Sequence, residues 1–114
     1  MKSITLKFGK ERINGQDTFF STLSVLKVAV NHVGKNEGLS VTEMSQRMRI
    51  LDVLNENTEY DAEEGSFNDA HLAMSKEIML EDSDFTKLKE LFKEVKWKIV
   101  SRFIINLSEE IEKA

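Results

Sequence analysis

Apolar residues recur along this chain first at every second position and then at every third or fourth. From Ser3 to Phe8 they alternate, with Ile4, Leu6 and Phe8 on one side and Thr5 and Lys7 on the other, as in a half-buried strand. Gly9 closes that pattern, and Ile13-Asn14-Gly15 carries a turn signal. A single strand needs a partner. Residues 76–81 supply the best one, because Ile78 and Leu80 can share a face with Ile4 and Leu6. Together they predict a small two-stranded ribbon, stable only when laid against other elements.

Helical spacing then takes over. Asp17 or Thr18 is placed to cap a helix over 18–33, whose stripe is Phe19, Leu23, Leu26, Val30 and Val33. Gly34 is placed to end it in the left-handed conformation. Ser40-Val41-Thr42-Glu43 has the form of a capping box, in which each side chain satisfies the other end's amide, and predicts a helix over 41–56. Val41, Met44, Met48, Leu51 and Leu54, joined by Ile50, make its expected buried side, with the methionines as adaptable core filler.

The longest apolar pattern runs over 81–112. Phe85, Leu88, Leu91, Phe92, Val95 and Ile99 lie on one helical face. After Trp97 the phase shifts to Val100, Phe103, Ile104, Leu107 and Ile111. One straight helix struggles to keep both stripes against one surface, so two helices are expected, over 83–96 and 99–112, meeting around Trp97; a single long helix is the alternative. The fold class that follows is a mostly α single-domain helical bundle of about four helices, with a small two-stranded β ribbon.

Composition narrows the function. The chain of 114 residues is one domain's length, and it has no cysteine, which excludes thiolate chemistry and disulfides, and no proline. A net charge of −4 argues against general nucleic-acid binding. The N-terminus lacks the apolar core of a signal peptide, and no run is long enough to span a bilayer, so a cytoplasmic protein is expected.

Candidate chemistry is sparse. The acidic stretch 57–68, expected as a mobile loop, offers Glu59, Asp61, Glu63 and Glu64, but their spacing does not fit a calcium-binding frame, so a solvated loop outweighs a metal site. The helices after residue 83 carry a basic face with Lys87, Lys89, Lys93, Lys96, Lys98 and Arg102. Acidic loop and basic face, with Lys89, Lys93 and Lys96 as its centre, suggest a head-to-tail contact between copies; the plainer reading is a solvated face with local ion pairs. His32 and His71 share no motif, no nucleophile or phosphate-cradling pattern is present, and neither an enzyme nor a cofactor is expected.

Residues 26–55, with Gly38-Leu39-Ser40-Val41-Thr42-Glu43-Met44 after a Gly-bounded turn, resemble the opening of a winged helix-turn-helix. That resemblance implies DNA binding, for which Arg47 and Arg49 are the nearby cations, although the following helix runs on without the turn that a recognition helix needs. More of the chain looks like small phage-encoded proteins without an assigned activity, through Met48-Arg49-Ile50-Leu51-Asp52-Val53-Leu54, Leu80-Glu81-Asp82, and Trp97, Val100, Phe103 and Ile104 before an acidic end. This implies a viral accessory or structural component. The function expected is non-catalytic protein–protein interaction, with the same chain or another protein, and DNA binding is the alternative.

Overall fold

Asn14 and Gly15 both take positive φ, 53° and 79°. Two such residues in succession form the tight turn that matches the twist of a hairpin. They join β1 (Lys2–Ile13) to β2 (Gln16–Ser21), with Ile13 opposite Gln16 and Phe8 opposite Ser21. The computed structural model describes residues 1–34, 37–61 and 68–114. After the hairpin come α1 (Thr22–Asn31), α2 (Val41–Asn55), a 3-10 turn at Thr58–Tyr60 and another at Asp69–Ala73. The chain ends with β3 (Ser75–Leu80), α3 (Asp82–Glu94) and α4 (Arg102–Lys113).

β1 is the centre of an antiparallel sheet of order β2-β1-β3. Its first half pairs with β3, placing Ile4 opposite Ile78, and its second half pairs with β2. The expected mostly α bundle with a two-stranded ribbon is therefore corrected to a mixed α/β fold with a three-stranded sheet. The missing strand lies inside the helix expected over 18–33, whose first part is β2; Ser21, not Asp17 or Thr18, caps α1 by accepting from the Ser24 amide. Gly9 does not end β1, and its lack of a side chain has another use. A Cβ there would stand 2.4 Å from the Phe103 ring of α4.

The core joins both layers. Leu6 of β1, Leu23 and Leu26 of α1, Ile50 and Leu54 of α2 and Leu88 of α3 are fully buried in one cluster, completed by Ile104, Leu107 and Ile111 of α4. α3 and α4 are separate helices, since 95–101 is non-helical, so the single-helix alternative is excluded. Trp97 in that linker is half-buried and packs on Phe92 with ring centroids 5.4 Å apart. Ile99 and Val100, expected inside, face outward.

α4 starts where β1 reaches it. The Glu11 carboxylate accepts from the Ser101 hydroxyl at 2.7 Å, from the Arg102 amide at 3.1 Å and from the Phe103 amide. The two amides are first-turn groups that have no acceptor within their own helix. Burial alone would raise the Glu11 carboxyl, but the hydrogen bonds from Phe103, Ser101 and Arg102 outweigh it and hold it below its ordinary value. The Phe20 and Phe103 rings stack beside this cap at 5.5 Å.

Candidate interaction surface

The surface that stands out is built by the orientation of α2. Ser40 caps the helix as expected, accepting from the Glu43 amide at 3.1 Å. The other half of the capping box is absent, because Glu43 reaches elsewhere. Its carboxylate lies 2.6 Å from Lys87 Nζ of α3 and 3.2 Å from Arg47. The Lys87 hydrogen bond, with burial opposing and Arg47 assisting, holds the Glu43 carboxyl below its ordinary value.

Arg47 then fixes the helix phase. It is only 7% exposed, and its guanidinium donates to the backbone carbonyls of Val30, at 3.1 Å, and His32. These carbonyls lie at the end of α1, which has no basic residue in its last turn. Gly34 does not adopt the positive φ expected of it. A cation from the neighbouring helix therefore serves the end of α1, where the dipole is negative. With Arg47 turned inward, Ile50 and Leu54 follow at three and seven residues and complete the buried face.

The consequence is an apolar stripe on the outside. Val41 is 78% exposed, Met44 48% and Met48 50%. The expected buried side of this helix is thus corrected: Ile50 and Leu54 are in the core, Leu51 is half-buried, and the rest of the stripe faces solvent. Leu51 and Val28 of α1 line a shallow groove of about 380 Å³ edged by Ser24, Lys27, Asn31 and Asn55. Val28 is also a wall of a second groove, of about 200 Å³, with Phe19, Trp97 and Ile99. Apolar surface therefore continues from α2 over α1 to the linker before α4. Contiguous patches of this kind mark contact sites more often than isolated exposed side chains do.

Four of the seven charged residues expected to carry an interaction have partners within the chain. Lys93 meets Glu112 at 3.2 Å, and Lys89 Nζ donates to the Glu112 carbonyl at 3.3 Å. Lys96 lines a polar groove with His32, Gly34, Glu37 and Glu94. Glu59 lies 3.8 Å from Lys76. Asp61 is buried, 2.7 Å from Lys27 Nζ and 3.3 Å from the Ser24 hydroxyl. Glu63 and Glu64 lie outside the described residues. The 57–61 part of the expected mobile loop holds the 3-10 turn Thr58–Tyr60, whose Tyr60 is buried and stacks on Phe8 at 5.4 Å. Its residues 62–67 are not described.

Both cations named for the DNA-binding alternative have partners within the chain. Arg47 is committed to α1, and Arg49 donates to Asp84 of α3 at 3.0 Å. His71 Nδ1 accepts from the Asn68 amide within a capping box, and His32 follows the last turn of α1, so each histidine has a local structural place. Among the described residues no group of three or more His, Asp or Glu could hold a metal ion. Among the same residues no helix is long and apolar enough to cross a membrane. Sequence reasoning missed the inward arginine and hence the outward stripe; the clue was Arg47 standing at helical spacing from Ile50 and Leu54. No family model matches the chain, and comparison with curated proteins and with solved structures returns no match either.

Proposed function

We propose that this protein acts as a non-catalytic interaction module that engages a protein partner, the same chain or a different one, through the apolar face of α2. The observation that carries the reading is the Val41, Met44 and Met48 stripe, left on the surface because a buried Arg47 holds the opposite face inward. Methionine suits such a face, since its unbranched side chain adapts to an irregular partner surface. A viral accessory role, implied by the sequence resemblance, is one setting for such a contact. Charge plays a smaller part in this reading, because Glu59, Asp61, Lys89 and Lys93 each have a partner within the chain, and the exposed pairs among these add little.

The test compares immobilised wild-type protein with the Met44→Glu and Met48→Glu variants as baits. Protein retained by the wild type and lost with both variants, the folded state being checked by circular dichroism, supports the reading. Retention of the same set by all the baits, or of nothing by a wild type that is also monomeric in solution, overturns it.

A further inference from the structure

We infer that the partner seated on the α2 face is a second copy of this chain, joined by antiparallel pairing of two α2 helices about a two-fold axis. The inference rests on the stripe being a contact face, and names what covers it.

A two-fold interface must be self-complementary, because the same patch is used on both sides. The stripe meets that condition. Val41, Met44, Met48 and Leu51 follow one another at spacings of three, four and three, an order that reads the same in both directions. Reversing the helix therefore sets Val41 against Leu51 of the second copy and Met44 against Met48, apolar on apolar. The axis falls at the level of Gln46, which points away from the stripe; Ser45, the exposed residue on the stripe's side of that level, is uncharged, and Arg47 is turned inward, so neither sets like charges against each other at the axis.

Charge at the ends of the stripe agrees with the same arrangement. Asp52 is exposed and forms no ion pair among the described residues. Antiparallel pairing about Gln46 carries it to the level of Ser40 of the second copy, the start of α2. First-turn amides there have no acceptor within the helix, and the dipole favours an anion. The two helix dipoles also oppose each other. A parallel arrangement would instead bring Asp52 against Asp52.

The size of the patch sets the strength. A helix of 15 residues is about 22 Å long, and one helix pair falls at the low end of interface size, under about 1,200 Å² in total. The dimer should therefore dissolve on dilution. Because its contact is apolar, raised salt should not dissolve it.

The experiment is light scattering over a wide range of protein and salt concentrations, on the wild type and on Met48→Glu. A wild-type mass that rises from 13.1 kDa toward twice that value on concentration, at low and high salt alike, with Met48→Glu remaining at 13.1 kDa, supports the inference. A wild type monomeric throughout overturns it, while leaving the broader reading to the bait comparison. A dimer that salt dissolves and Met48→Glu does not also overturns it, in favour of the charged surfaces. The chain has no cysteine, so single replacements give a second readout. A mixture of Met44→Cys and Met48→Cys proteins should form the mixed covalent dimer under mild oxidation many times faster than a mixture of Met44→Cys with Ile105→Cys, which samples another exposed apolar position. Equal rates contradict pairing through α2.

Discussion

α2 and α4 both begin at a serine cap and both bury apolar residues, yet only α2 also buries a charge. α4 turns Ile104, Leu107 and Ile111 inward, and its periodicity agrees with its burial. α2 turns an arginine inward and leaves two methionines and a valine outside. Apolar count alone does not decide which face a helix buries. In α4 the polar requirement is met from outside, by Glu11 reaching the helix start, so the apolar stripe is left to choose the phase. In α2 the helix itself must supply the cation that the end of α1 needs, and that demand sets the phase instead.

Substitutions can break this contrast at different points. The largest expected effect is in α4, where Leu107→Ala removes a buried side chain and should cost about 3 kcal/mol in urea unfolding. Arg47→Ala comes next. It leaves the Val30 and His32 carbonyls without their donor and should cost about 2 kcal/mol, far more than replacing an exposed arginine does. If Arg47→Ala unfolds at the wild-type midpoint, the anchor described here is wrong.

Glu11→Ala leaves the Ser101 cap but removes the acceptor of the Arg102 and Phe103 amides, and should cost about 1 kcal/mol at neutral pH. The sign of its pH dependence follows from the lowered carboxyl. Stability from Glu11 is fully present above its ordinary value near 4.5 and is lost as pH falls through the lower folded-state value. The gap between wild type and Glu11→Ala should therefore shrink on acidification below about 4.5. A gap that is constant from neutral pH downward would remove the carboxylate from the explanation. Smallest of all, Met48→Ala should change stability by less than about 0.5 kcal/mol, since its side chain is half exposed; a loss of several times that would place it in the core.

Some of this was legible before any coordinates. The strand at 3–8 and its partner near 76–81 could be read because one face of each alternates, and the Ser40 cap could be read because its partners are close in sequence. β2 was not legible as a strand, although Asn14-Gly15 marks a hairpin. It uses both faces: Phe20 stacks on Phe103, whereas Lys10 Nζ lies 5.6 Å from the centroid of the Phe19 ring. Adjacent aromatics, Phe19 half-buried and Phe20 buried, erase the alternation and fit a helical stripe equally well. The Glu11 cap spans 90 residues or more in sequence, so no local pattern announces it. Arg47 was the decisive omission. A charged residue is counted as outward until a neighbouring helix end shows where its donors go, and the error in phase displaced the whole candidate surface.

The orientation of α2 is tested most directly by solution NMR of methyl-labelled protein with a soluble paramagnetic agent, at low protein concentration. The Met44 and Met48 methyl signals should broaden strongly, while those of Ile50 and Leu54 on the same helix stay sharp. Met44 and Met48 protected as well as Ile50 and Leu54 would contradict the outward stripe, and with it the contact face built on it.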